Sequence, residues 1–117
     1  MGCLRAGRSE TGKVLARVDG RYVREGGDAC GYVLVNFQYK VIREGAGSSG
    51  DILANLDGKY IREGRHNTGE VIANIEGSNI KQGEETEGEI LFNVEGYTSI
   101  YEKAALSVAG LMLKALL

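Results

Sequence analysis

A 19-residue repeat runs through the chain and constrains its fold more than any other feature. Two glycine columns mark the repeat, and each recurs at intervals of 19 residues. The columns are Gly7, Gly26, Gly45, Gly64 and Gly83, and Gly12, Gly31, Gly50, Gly69 and Gly88. Repetition with this period is typical of arrays in which each unit buries its apolar face against its neighbours. The chain is therefore predicted to fold as an array of five similar units.

Apolar residues inside each unit alternate with a period of two. The unit is clearest in "GDILANLDGKYIREG" at 50–64, where Ile52, Ala54 and Leu56 share one side. Alternation of this kind is typical of a strand with one apolar face. The equivalent positions elsewhere are also apolar, starting with the column Val14, Val33, Ile52, Val71 and Ile90. A second, shorter strand marked by Val23, Ile42, Ile61 and Ile80 follows in each unit.

An acidic residue followed by glycine separates the two strands of most units. Asp57-Gly58 and its counterparts suit a two-residue type I′ turn, in which both central residues have positive φ. Such a turn would place Ala54 opposite Ile61, and Leu53 opposite Arg62. The second unit has Gln38-Tyr39 at this point, which predicts a strained turn because a tyrosine rarely adopts positive φ.

Two all-β architectures fit this pattern. Antiparallel hairpins are one, and a β-solenoid with one unit per rung is the alternative. An asparagine column (Asn36, Asn55, Asn74 and Asn93) would form an amide ladder in a solenoid. The arginine column (Arg5, Arg24, Arg43 and Arg62, with Lys81 in the fifth place) would also stack in a solenoid, and like charges side by side are unfavourable. The charge argument favours an antiparallel hairpin array.

The repeat pattern ends at a predicted helix. Ser99 and Glu102 have the spacing of a capping box, which predicts a helix that begins at Ile100. We therefore expect a single domain of 1–117, with β repeats over 2–98 and a helix over 99–117. The helix is apolar around most of its circumference, so it must be buried on several sides.

The apolar helix suggests self-association. One sheet covers only one side of a helix, so helices from several chains packed together would bury the rest in a homo-oligomer. The candidate assembly surface combines a leucine column of the repeats with helix residues. Its members are Leu15, Leu34, Leu53, Ile72, Leu91, Leu106, Leu111, Leu113 and Leu116.

Composition excludes several classes of partner. The net charge of −2 over 117 residues provides no basic surface for nucleic acid. The uncharged run over 104–113 is half the length of a membrane span, so membrane insertion is not expected. The N-terminus lacks the apolar stretch of a secretory signal, and we expect a cytoplasmic protein with free thiols at Cys3 and Cys30.

No motif in the chain predicts catalysis or a cofactor. Gly45, Gly47 and Gly50 have the G-x-G-x-x-G spacing of a dinucleotide-binding turn, but a strand pattern follows where that fold needs a helix. Cys30 and His66 could form a nucleophile pair only if neighbouring units brought them together. We expect no cofactor, no metal site and no enzymatic activity.

The unit "GEVIANIEGSNIKQG" and the apolar helix resemble a loose group of small bacterial repeat proteins with the pattern G-x-V-x-x-x-I-D-G-x-x-I-R-x-G. The resemblance covers nearly the whole chain and implies an architecture without an activity. The hairpin layout is also similar to choline- and glucan-binding repeats, but those use aromatic cages, usually with tryptophan, and this chain has no tryptophan.

Two functions remain open. The first is a structural or protein-interaction module that self-associates through the helix. The alternative is a carbohydrate- or polymer-binding module that uses rows of repeated surface residues. The tyrosines considered for carbohydrate binding are Tyr22, Tyr39, Tyr60 and Tyr97. The candidate ligand row consists of Tyr22, Tyr60, Arg24, Arg43 and Arg62.

Overall fold

The computed structural model of the chain describes residues 2–7, 12–26, 31–47, 49–64, 69–83, 89–96 and 98–114. These residues form ten β-strands and one α-helix. The strands are β1 (Cys3–Ala6), β2 (Val14–Asp19), β3 (Tyr22–Glu25), β4 (Val33–Gln38), β5 (Val41–Glu44), β6 (Ile52–Asp57), β7 (Tyr60–Glu63), β8 (Val71–Glu76), β9 (Asn79–Gln82) and β10 (Ile90–Glu95). The helix α1 spans Ile100–Leu113.

The ten strands form a closed antiparallel barrel. Each strand pairs with its neighbours in the chain, and β1 also pairs with β10. The prediction of antiparallel hairpins is thus confirmed, and the solenoid alternative is wrong. In the barrel the long strands lie between the short strands that carry the arginine column, so these arginines do not stack side by side.

The N-terminal strand completes the last unit of the repeat. Leu4 pairs with Val94 in β10, just as Val23 pairs with Val18 inside the first hairpin. Strand β1 is therefore the short strand that β10 would otherwise lack, and the barrel closes by joining the two ends of the chain.

The hairpin register differs from the predicted one. Leu56 pairs with Ile61 and Asp57 with Tyr60, so the loop is Gly58-Lys59 rather than Asp57-Gly58. Gly58 has φ of 65°, whereas Lys59 is not among the residues with positive φ. The type I′ expectation is wrong because the acidic residue forms the last rung of the ladder.

Every unit has a β-bulge, and the bulge determines on which face of the sheet each apolar column lies. Ile42 pairs with Ala54 but Arg43 with Ile52, which leaves Leu53 as the extra residue. The same register shift makes the whole leucine column the bulge column: Leu15, Leu34, Leu53, Ile72 and Leu91. Bulges re-aim side chains, so the leucines pack with the core, and the Val/Ile column beginning at Val14 lies beside the arginines. The expectation that this Val/Ile column belongs to the core face is wrong for this reason.

The helix lies inside the barrel. Its residues 104–111 are all buried, and α1 contacts β1, β2, β3, β4, β6, β8 and β10. Ten strands about 4.8 Å apart and tilted by about 40° enclose a cylinder of roughly 10 Å radius, which admits one helix when the facing side chains are small. Ala16, Ala54 and Ala73 of the strands are fully buried. The helix is thus buried on several sides, as predicted, but by its own barrel.

The ends of α1 follow local capping rules. The Ser99 hydroxyl accepts a hydrogen bond from the Glu102 amide at 3.1 Å, and the Glu102 carboxylate accepts one from the Ser99 amide at 2.7 Å. This confirms the predicted capping box. The helix ends at Leu113, and residues 115–117 lie outside the described residues.

Candidate functional site

The barrel interior is filled by α1, so the surfaces open to a ligand are the outer wall and the two rims. The hairpin rim carries the turns and the first turn of α1, because the Lys103 ammonium donates to the Gly77 carbonyl at 3.1 Å. The link rim carries the glycine-bounded links. Leu111, near the other end of α1, lines a depression there with Ile72 and Gly83.

The arginine column ties the two rims of the outer wall together. One guanidinium nitrogen, Nη1, donates to the carbonyl of the glycine that ends the following link. These bonds join Arg5 to Gly12, Arg24 to Gly31, Arg43 to Gly50 and Arg62 to Gly69 at 2.9–3.0 Å. The guanidinium groups are therefore held in fixed positions.

Three of these arginines also bind the acidic residue at a hairpin turn. Arg24 Nε lies 3.1 Å from an Asp19 carboxylate oxygen, and Arg62 Nε lies 2.8 Å from Asp57. Arg5 makes the equivalent pair with Glu95 across the chain ends, at 3.0 Å from Nε and 2.7 Å from Nη2. The candidate ligand residues Arg24 and Arg62 are thus engaged in contacts that hold the barrel.

Arg43 differs from these neighbours because Gln38 occupies the place of the turn acid. Within the described part of the chain, no ion pair joins Arg43 to a carboxylate. Its side chain lines an open depression of about 540 Å³ with Ser49, Gly50 and Asp51. Among the described arginines of the candidate ligand row, Arg43 is thus the one that has no ion pair with a carboxylate.

The asparagine column supports the links rather than stacking into a ladder. The Asn55 amide donates to the Gly64 carbonyl at 2.8 Å, and Asn93 donates to Gly7 at 2.8 Å across the chain ends. In the second unit Asn36 donates to both Gly45 and Gly47, at 2.7 and 3.1 Å. These amides, with Asn74 on Gly83, hold the first glycine of four of the five links.

The tyrosines divide into half-buried and exposed ones. Tyr22 and Tyr60 of the candidate ligand row are half-buried, and the Lys59 ammonium lies 5.6 Å from the centre of the Tyr60 ring. Tyr32 and Tyr39 are 75% and 73% exposed. Of the tyrosines considered for carbohydrate binding, Tyr39 is thus the exposed one, and Tyr97 lies outside the described residues.

Tyr39 forms part of an exposed cluster at the hairpin rim. Its ring meets that of Tyr101 edge to face, with 6.2 Å between ring centres, and Ile100 beside Tyr101 is also exposed. Tyr39 has φ of 52° at a loop position where Gly20, Gly58 and Gly77 stand in other units. The strain at Gln38-Tyr39 was predicted from the sequence. The position of Ile100 and Tyr101 beside this turn was not, because only the fold brings α1 there. We call Tyr39, Ile100 and Tyr101 the rim patch.

The candidate assembly residues do not form one outer surface. Leu34, Leu91, Leu106 and Leu111 are buried in a single core within one chain, and Leu15, Leu53 and Ile72 pack partly buried against it. Leu113 is 38% exposed, and Leu116 lies outside the described residues. Burial inside one barrel removes the reason for expecting these side chains to need a second copy.

The remaining chemical candidates are limited. Cys30 and His66 lie outside the described residues. Gly45, Gly47 and Gly50 connect β5 to β6, so a strand follows them and not a helix. No group of three or more histidine, cysteine or acidic residues that could hold a metal occurs in the described ranges.

Cys3 and Glu95 form a small polar cluster with Arg5 where the chain ends meet. The Cys3 thiol donates to a Glu95 carboxylate oxygen at 3.5 Å. Burial, and then this hydrogen bond, raise the pKa of Cys3, which disfavours the reactive thiolate. The hydrogen bonds from Arg5 and then Cys3 lower the pKa of Glu95.

The profile of one protein family, described as "6-fold beta flower protein", matches residues 4–113. The chain belongs to this beta flower family. The match covers all ten strands and the helix. The family description refers to a sixfold arrangement, whereas the described residues of this member form five two-stranded units. One of these units pairs β10 with β1 across the chain ends. A small β-repeat architecture is thereby confirmed, while the glycine motif quoted above is not part of what the match shows.

No curated protein and no solved structure shows a significant match to the chain. Among the described residues, no helix combines the length and the apolar character that crossing a membrane requires. The description of the beta flower family is that of a small repeat module and names no activity.

Proposed function

We propose that the chain is a non-enzymatic protein-interaction module whose rim patch contacts a partner protein. The observation that carries this proposal is Tyr39, a large aromatic residue with positive φ that remains 73% exposed. The barrel supplies a rigid frame, and the second unit supplies the contact.

The energetics of Tyr39 support a role outside the fold. A left-handed conformation costs a residue with a side chain about 1–2 kcal/mol relative to glycine. The edge-to-face contact with Tyr101 offsets about 0.5–1.5 kcal/mol of this, so the tyrosine brings the isolated chain little net stability. Exposed tyrosines with few rotatable bonds are enriched among the residues that dominate protein interfaces.

Other residues of the rim patch extend the contact. Tyr101 and Ile100 lie in the first turn of α1, whose remaining turns are locked in the barrel, so both side chains start from a rigid backbone. A rigid aromatic cluster loses little conformational entropy on binding. The filled interior also directs any partner to the outside of the molecule.

Self-association remains a related proposal, with a different surface from the one first expected. A second copy would meet the rim patch or the exposed Leu113, because Leu106 and Leu111 are buried. Carbohydrate binding is the competing proposal. It would need Tyr32 or Tyr39, since Tyr22 and Tyr60 are half-buried.

The test compares the full chain with Tyr39→Gly, which restores the glycine of the other units. Proteins from the cell that encodes the chain are captured on each, and those retained by the native chain but not by the variant are purified and titrated against both. We expect one protein whose affinity falls about tenfold or more in Tyr39→Gly, as for an interface hot spot. Equal affinity for both chains would contradict the proposal. Glycan-array binding that Tyr39→Gly abolishes would favour the carbohydrate function.

A further inference from the structure

The second unit differs from its neighbours at Arg43 as well as at Tyr39. Arg24, Arg62 and Arg5 each hold a carboxylate oxygen of a turn acid on Nε. Arg43 has the same backbone position and the same anchoring bond to a link glycine, but its turn residue is the amide Gln38.

We infer that Arg43 binds a carboxylate supplied by another molecule. The chemistry of the ligand comes from the repeat itself, because the same edge of three sister guanidinium groups already binds carboxylate oxygens at 2.7–3.1 Å. Arginine is always charged and its planar edge fits a carboxylate. The bond from Nη1 to the Gly50 carbonyl holds the guanidinium of Arg43 in place, which leaves Nε and Nη2 to donate.

The surroundings of Arg43 admit such a ligand. The link that follows, "GAGSSG" at 45–50, has only small uncharged residues, whereas each of the other four links carries at least one charged residue. The depression of about 540 Å³ opens beside Arg43, and Ser49 contributes an exposed hydroxyl to its lining. The described residues of this link therefore place no bulky side chain in the way of a ligand carboxylate.

Asp51 limits which anion the depression accepts. This residue is exposed and lines the same depression, and its negative charge opposes a doubly charged ligand more than a singly charged one. A carboxylate is favoured over a phosphate dianion for this reason. The inference deepens the proposed function and rests on it for the source of the carboxylate, which is an aspartate or glutamate of the partner protein.

The test uses small probes and the full chain without any partner. The NMR signal of Arg43 Nε–Hε is followed while N-acetyl-aspartate methylamide is added at constant ionic strength, and inorganic phosphate is added in a separate series. We expect a saturable shift with the blocked aspartate, with a dissociation constant of about 1–10 mM as for one exposed charge-assisted contact. Phosphate should bind more weakly.

Two variants of equal charge separate a local site from a general charge effect. Gln38→Asp places the acid of the sister units beside Arg43, and Ser78→Asp adds the same charge on an exposed turn of another unit. Gln38→Asp should raise the dissociation constant of the blocked aspartate about tenfold, because the new carboxylate occupies Arg43. Ser78→Asp should change this constant by less than about twofold, because salt screens a charge on another unit.

Three results would overturn the inference: no saturable shift at Arg43, equal weakening by both variants, or tighter binding of phosphate than of the blocked aspartate. The outcome is independent of the rim patch, because Tyr39→Gly should bind the blocked aspartate as well as the native chain does. Retention of this binding together with equal partner affinity of the native chain and Tyr39→Gly would contradict the proposed function alone.

Discussion

Arg5 and Glu95 form an ion pair at 2.7 Å that joins the two ends of the barrel. Inside the first and third hairpins the same contact joins Arg24 to Asp19 and Arg62 to Asp57. The closing seam therefore has the geometry of an ordinary hairpin, although its residues are 90 positions apart. Closure leaves no free sheet edge at β1 or β10, and free edges are sites of aggregation.

The closing seam should control the reactivity of Cys3. Since the folded pKa of Cys3 is raised by burial and by Glu95, its neutral thiol adds stability that is full below the ordinary thiol pKa and lost as the pH rises through the folded value. In a Cys30→Ser background, we expect iodoacetamide to alkylate Cys3 more slowly in the folded chain than in urea at about pH 8.5, near the ordinary thiol pKa. Glu95→Gln should speed the folded reaction, and Glu44→Gln, which changes the same charge elsewhere, should not.

Glu95 itself should respond to pH in the opposite sense. Its folded pKa is lowered, first by Arg5, so its carboxylate adds stability above the ordinary pKa of a glutamate and loses it as the pH falls through the folded value. Urea unfolding at acidic pH should therefore show a smaller difference between native and Glu95→Gln chains than at neutral pH. If the difference in the free energy of unfolding grows on acidification, the ion pair between Arg5 and Glu95 does not stabilise the barrel.

Gly110 should be the least replaceable residue of α1. A β-carbon there would lie 2.6 Å from a Leu4 methyl and 2.8 Å from the Phe92 ring, closer than carbon atoms pack. Gly110→Ala should lower the free energy of unfolding by about 1–3 kcal/mol, even though alanine favours helices by about 1 kcal/mol. Leu113→Ala, at an exposed position of the last turn, should cost less than about 1 kcal/mol. Urea denaturation measures both, and a stabilised Gly110→Ala would refute the packing of α1 inside the barrel.

Removal of α1 should unfold the barrel. The helix places eight consecutive buried residues at the barrel centre, and no other described segment fills that space. A chain ending at Ser99 should lose its cooperative thermal transition by circular dichroism and aggregate in light scattering. If the truncated chain instead stays folded as a monomer while the full chain is an oligomer, the helix is an assembly element, as first expected from the sequence.

Tyr39→Gly should stabilise the chain while removing the rim patch. Removing a side chain from the positive φ should raise the free energy of unfolding by about 1 kcal/mol. Loss of the contact with Tyr101 subtracts from this, so the net gain is expected to be at most about 1 kcal/mol. Gly58→Ala places a side chain at the equivalent loop position, where φ is 65°, and should cost about 1 kcal/mol. A destabilised Tyr39→Gly would show that this tyrosine supports the fold rather than a partner.

Much of the local structure could be predicted from the repeat. The strands, the capping box at Ser99 and the strain at Tyr39 follow from residues close to one another in the chain. The predicted hairpin register was wrong by one residue because Asp57 pairs with Tyr60 and extends the ladder. Local turn preferences do not decide whether this last pair forms. The role of Leu53 was missed because a bulge appears only when two strands are aligned.

The candidate site was predictable only in part. Arg43 was identified as a member of a row, but its difference from Arg24 and Arg62 depends on which turn residue each guanidinium reaches. The meeting of Tyr39 with Tyr101 could not be read from the chain, since 62 positions separate them.

The sequence by itself determined the units: their length, alternation and turns, and the apolar helix that had to be buried. Only the tertiary structure decided that the array closes and that α1 fills it. The physical reason is that closure depends on contacts between chain ends, such as Leu4 with Val94, and on whether the interior of ten strands matches the width of one helix. Periodicity encodes each unit, whereas the fit between the units and the helix is a property of the whole barrel.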